Sequence, residues 1–165
     1  MSPVPPPTTG PRHRGERPLS RTRALALLIV LSACAAQQPA RVVGDGATLA
    51  PCPSSPNCVS STARDEHFIE PFRLATEPAA AWRALHEVVA ELPRTRIVRF
   101  DARWLHAECR SRIFGFVDDL ELELRPDDNL IAVRSASRVG YSDLGVNRDR
   151  VERIRAELRA RGVVK

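Results

Sequence analysis

Apolar residues recur every three or four positions from Ala81 to Leu92, every second position through most of 94–137, and every three or four again from Val151 to Leu158. The first run, Ala81, Trp82, Leu85, Val88, Val89 and Leu92, predicts an amphipathic helix. Thr76 is placed to cap it, Glu77 and Pro78 suit its first turn, and Pro93 stops it. The segments RTRIVRF, RWLHAEC, FVDDLELEL and NLIAVRSAS predict four successive strands with short polar turns, RPDDN being the clearest. In the third strand Phe116, Leu120, Leu122 and Leu124 share one face while Glu121 and Glu123 take the other. The sheet is therefore expected to be buried on one side and wet on the other. Asn147 is the expected N-cap of a last helix carrying Val151, Ile154 and Leu158 and ending at Gly162. Asp149–Arg153 and Glu157–Arg161 are spaced for pairing along it. The sum is an α+β domain: a helix, a four-stranded antiparallel meander and a C-terminal helix, both helices packed on one face of the sheet.

Before this domain the pattern is of another kind. Residues 1–23 are rich in proline and arginine, and ALALLIVLSAC follows as an apolar run of about ten residues, half of what a resident membrane helix needs. A basic segment, a short apolar segment and a small-residue exit predict a signal peptide over 1–33. Its exit, Leu31-Ser32-Ala33-Cys34, resembles the lipobox of bacterial lipoproteins, in which the cysteine is acylated and becomes the mature N-terminus. The alternative is an ordinary signal peptide followed by an incidental cysteine. The lipobox reading makes Cys34 the lipidation site and places the protein in the cell envelope, moored to a membrane and facing the periplasm or the exterior. Residues 34–51 show no sustained period and are read as a flexible tether, leaving 52–165 as a single domain.

Charge adds an exclusion. The formal net charge is +5, but Arg12, Arg14, Arg17, Arg21 and Arg23 stand against Glu16 alone before residue 34, so the remainder is nearly neutral. Such a domain offers no broad field for phosphate backbones, and nucleic acid is not expected as a partner.

In an exported protein CPSSPNC predicts a local Cys52–Cys58 disulfide, with a Cys58–Cys109 pairing as the alternative. Cys109 otherwise reads as a small buried hydrophobe. Cys52, Cys58 and His67 match no common zinc spacing, so no metal is expected, and no cofactor or catalytic residue is assigned.

The densest polar stretch is RSASRVGYSDLGVNR, residues 134–148. Asp118 is in phase with Leu120 and Leu122 and so points toward the apolar face, where an aspartate needs a charged partner. Arg134 or Arg138 is the expected one. Asp119 points the other way, and Asp143 is expected to meet Arg138 or Arg148. The structural reading is a network pinning a long connection and registering the last helix. The functional reading is a polar pocket in which Asp118 or Asp143 acts as acid or base and arginines hold an anion.

CPSSPNCVSS, FGFVDDLELEL and RSASRVGYSDLGVNRDRVERI together resemble the motif blocks of the family known as domain of unknown function 1499. The resemblance covers about residues 52–158 and implies an envelope or lipoprotein-type setting. It marks Asp118, Asp119, Arg134, Ser135, Ser137, Arg138, Tyr141, Asp143, Asn147 and Arg148 as motif positions without assigning them an activity. Three functions remain in view. The first is a membrane-tethered, non-enzymatic protein that binds an envelope partner or stabilises an assembly. The second is a module for a small anionic or amphiphilic ligand held between sheet and last helix by Arg134, Arg138, Tyr141 and Arg148. The third is a hydrolase using Asp118, Asp119 or Asp143, disfavoured because neighbouring strand residues face opposite ways.

Overall fold

The computed structural model describes Met1 and residues 48–165; the segment 1–33 read as a signal peptide, Cys34 and most of the expected tether lie outside the described residues. Among the described residues, two helices and six antiparallel strands make up the fold. In chain order they are β1 (Cys58–Ser60), β2 (Phe72–Arg73), α1 (Pro78–Glu91), β3 (Thr95–Phe100), β4 (Trp104–Arg110), β5 (Val117–Arg125), β6 (Leu130–Ser137) and α2 (Val146–Ala160).

The four long strands form the expected meander, but the sheet is larger. β1 and β2 both pair along the far edge of β6, giving the order β1-β6-β5-β4-β3 with β2 beside β1 on the same edge. At three and two residues these strands are too short to show a period of two. What holds them is pairing and burial: Phe72 and Val59 are both buried core residues.

Register assigns the faces. Leu105 opposes Leu122, Ala107 opposes Leu120, and Leu122 opposes Val133, so these side chains share one face. Against it pack Trp82, Leu85, Val88 and Val89 of α1 and Val151, Ile154 and Leu158 of α2, all in one buried cluster. Each fully buried Leu or Ile here contributes about 1.5–3 kcal/mol. Among the described residues, 48–165 hold a contiguous buried core on the helix-packed face of a six-stranded sheet, closed by the disulfide, which makes this segment a folding unit to express.

The helix ends depart from expectation. Glu77, not Thr76, is the N-cap of α1, extended at φ −54°, ψ 136° and without a side-chain cap bond. Pro78 at the first helical position explains it, since proline keeps its predecessor extended. α2 begins at Val146 with Gly145 as N-cap in the left-handed region at φ 84°, so Asn147 lies inside the first turn. Gly162, at φ 68°, does close α2: the Gly162 N–H donates to the Arg159 carbonyl and the Val163 N–H to that of Leu158. The Asp149–Arg153 and Glu157–Arg161 pairs are not formed; Arg161 instead reaches Glu87 and Glu91 on α1.

The second sheet face is not wet. Asp119 and Glu121 are buried, as are His106 and Arg134. At the far end of that face Trp104 and Ala132 pack with Leu49, which is itself buried, so ordered packing begins ahead of Cys52. Cys52 and Cys58 are joined by a disulfide with Cα atoms 5.7 Å apart, and Cys109 is free and buried. Closing so short a loop stabilises the domain by about 2 kcal/mol. No helix among the described residues is long and apolar enough to cross a membrane.

Candidate functional site

The motif residues divide into three groups on different sides of the sheet. On the core face Asp118 meets neither Arg134 nor Arg138. Its Oδ2 accepts from Nη2 of Arg150, 2.6 Å away, on the first turns of α2. The same guanidinium donates through Nη1 to Ser135 Oγ at 2.9 Å and to Asn147 Oδ1. Asn147, fully buried, accepts from Ser135 Oγ and donates to Ser137 Oγ and to the Asn57 carbonyl. Asn57 in turn donates to the Gly140 carbonyl. Sheet, disulfide loop and last helix are thus tied by one buried network around Asp118, whose residue is 5% exposed. That closure favours a structural clamp over a solvent-exchanging acid or base.

On the opposite face lies an ionic ladder. Arg138 grips both oxygens of Asp119 through Nε and Nη2 at 2.9 and 2.7 Å, and Nη2 also donates to Glu108 at 2.9 Å. His106 Nε2 lies 2.7 Å from Asp119 Oδ1; a carboxylate only accepts, so Nε2 carries the proton. Burial pushes the Asp119 carboxyl up, but the hydrogen bonds from Arg138 and His106 outweigh it and hold it below its ordinary value. The Arg96 hydrogen bond, with that of Arg138, holds Glu108 low as well, against its burial. Both carboxylates in turn raise Arg138, Asp119 more than Glu108, against the cost of its burial. Arg134 is across the sheet from Glu121 and bonds it at 2.7 Å. Its register therefore removes it from the core face, where a partner for Asp118 was expected.

The third group is a helix cap. Asp143 reaches neither Arg138 nor Arg148: its Oδ1 accepts from the Gly145 N–H and its Oδ2 from the Asn147 N–H, at 3.0 and 2.8 Å. Arg148 donates to the carbonyls of Glu66 and Phe68, fastening the loop before β2 to α2. Tyr141 is exposed. The motif thus supplies one clamp, one ladder and one cap, and its arginines are occupied by protein acceptors. Asp118 and Asp119, on opposite faces with separate arginines, do not form a catalytic pair. His67, read against a metal role, bonds the Cys58 carbonyl through Nδ1, and no group of three or more metal-ligating side chains occurs among the described residues.

A second set of arginines is, Arg150 apart, less committed. Where β3 begins and β4 ends, beside the N-terminus of α2, a cleft of about 300 Å³ is lined by Arg94, Arg110, Arg112, Arg150 and Arg153, with Asp149 the only acid. The guanidiniums of Arg112 and Arg153 have no partner among the described residues. Arg110 has only a 3.7 Å contact with Glu108, and Arg94 spends only Nε, on the Arg110 carbonyl. Ser111 and Thr95 add hydroxyls to the lining, and Cys109 lies at its base with burial pushing the thiol's pKa up. The volume suits a small ligand, and the arrangement can hold an anion by several charge-assisted hydrogen bonds. Sequence reading missed this cleft because its residues come from three separate segments and share no motif. The signal that could have found it is the meander itself, which returns Arg94 and Arg110 to one sheet end.

Fold and site together define a small antiparallel α+β domain, clamped internally by its acidic and basic motif residues, with an arginine-lined cleft at one end of the sheet. Residues 48–158 match the family described as Protein of unknown function (DUF1499), and the chain belongs to that family. Comparison with curated proteins and with solved structures finds no match.

Proposed function

We propose that the chain is an exported, lipid-tethered binding module of the cell envelope that holds an anionic ligand in the arginine-lined cleft. The observation that carries the ligand is charge: besides Arg150, which Asp118 already pairs, four arginines face one space with a single carboxylate among them. This moves the anion site from Arg134, Arg138 and Arg148, each already bonded to an acceptor within the protein, to Arg94, Arg110, Arg112 and Arg153. Export is supported by the segment ending in Cys34 and by the Cys52–Cys58 disulfide, a bond that persists in oxidising compartments; an uncleaved N-terminus in cytosolic extracts contradicts it. Binding is favoured over hydrolysis because Asp118, Asp119 and Asp143 each serve a guanidinium or a helix end.

The cleft is tested with inorganic pyrophosphate as probe. Wild type is expected to bind it, more weakly as salt screens the partly exposed guanidiniums. The double substitution Arg112→Ala/Arg153→Ala is expected to weaken binding tenfold or more with little change in melting temperature, since neither guanidinium supports the fold. Equal affinity of the two proteins by calorimetric titration rules the cleft out.

A further inference from the structure

The end of the sheet that carries the cleft also carries the largest exposed apolar side chains of the domain. The loop joining β4 to β5 presents Ile113 at 81% exposure and Phe114 at 74%, with Phe114 stacked on Phe116 at 5.4 Å between ring centroids. The connection from β6 to α2 emerges at the same end, where the Arg138 N–H bonds the Val117 carbonyl. It presents Tyr141 at 76% and Leu144 at 92%. None of these residues belongs to the core clusters. Two neighbouring loops that turn large apolar side chains to water mark a surface that something covers.

The rim indicates the partner. Arg112 immediately precedes Ile113, and the cleft brings Ser111 and Arg112 beside Val146, itself nearly half exposed. An apolar, aromatic tip backed by unpaired arginines is complementary to a bilayer with anionic headgroups: the tip enters the acyl boundary while the guanidiniums meet phosphate. We infer that the loops 111–116 and 138–146 form a membrane-docking tip that inserts Ile113, Phe114 and Leu144 into an anionic lipid bilayer. This deepens the anion-binding reading by naming a phospholipid headgroup as the anion, and rests on it for the phosphate contact. Leu49 packs at the opposite end of the sheet, with Trp104 and Ala132, and β5 spans about 30 Å from one end to the other. The chain from Cys34 to Thr48 extends to about 50 Å at most, enough for a tethered domain to turn its tip to the membrane that holds it.

Sedimentation of residues 48–165 with vesicles tests this. Wild type is expected to bind phosphatidylglycerol-containing vesicles and to leave pure phosphatidylcholine vesicles in the pellet unaccompanied. Ile113→Ser/Phe114→Ser/Leu144→Ser is expected to lose at least tenfold in vesicle affinity while binding pyrophosphate as wild type does. Phe114→Trp, folded and otherwise intact, is expected to shift its emission to the blue on anionic vesicles and to be quenched by brominated lipid chains. If the triple variant binds vesicles as well as wild type, or if wild type binds none, the docking tip is wrong. A lipid-free dimer abolished by the triple substitution would assign the tip to a second copy of the chain and also overturn it. Tip-dependent vesicle binding without pyrophosphate binding would uphold the tip and remove the cleft reading instead.

Discussion

Asp118→Asn is expected to lower the melting temperature of the domain by about 10–15 °C. The asparagine keeps the shape but removes the charge that faces Arg150, and the guanidinium is left almost buried, its side chain 12% exposed. Removing one member of a buried pair costs about 3 kcal/mol or more, and about 4–5 °C is lost per kcal/mol in a domain of this length. The surrounding network cannot absorb the change, because Ser135 and Asn147 already bond the other arm of Arg150. Asp143→Asn, at a half-buried helix cap, is expected to cost only about 1 kcal/mol. Thermal unfolding of both variants checks the ranking. A wild-type melting temperature for Asp118→Asn would show that the clamp carries no stability.

Arg138→Gln is expected to destabilise more, by about 3–5 kcal/mol at pH 7, because it strands two carboxylates at once. The pH dependence gives this a second signature. Asp119 and Glu108 both have folded-state pKa values below their ordinary ones. Their contribution is therefore complete above the unfolded values, about 3.9 and 4.3, and is lost as pH falls through the lower folded values. Wild-type stability should stay level from neutral pH to about pH 5 and decline below about pH 4. Without Arg138, Asp119 loses its strongest lowering contact while the burial that raises its pKa stays, so its pKa moves up and protonation in acid relieves the variant even as His106 remains beside it. Urea unfolding at pH 7 and pH 4 should show the gap between variant and wild type narrowing. A gap of constant size would mean that Arg138 acts through packing alone.

Much of the fold was legible because its long elements declare their period. The α1 stripe from Ala81 to Val89 and the alternation through 95–137 fixed two layers and the meander. Phase along β5 separated Asp118 from Asp119 correctly. What phase cannot supply is the partner across a layer: Arg150 sits beside the narrow stripe of Val151, Ile154 and Leu158, and only the rotation of α2 brings it to Asp118. Alternation reports polarity, not exposure, and so points to a wet second face, whereas Glu121 and Asp119 are polar and buried. Pairing with Arg134, Arg138 and His106 makes that burial tolerable. Asparagine favours the cap position, but the left-handed Gly145 occupies it, freeing Asn147 for the buried network.

The division between a structural motif and a separate anion site is tested most directly by backbone amide shifts of residues 48–165 during titration with pyrophosphate. The largest saturable shifts should fall at Ser111, Arg112, Asp149 and Arg153, with those of Asp119, Arg134 and Arg138 left nearly still. Shifts centred on Arg134 and Arg138, with the cleft silent, would contradict it.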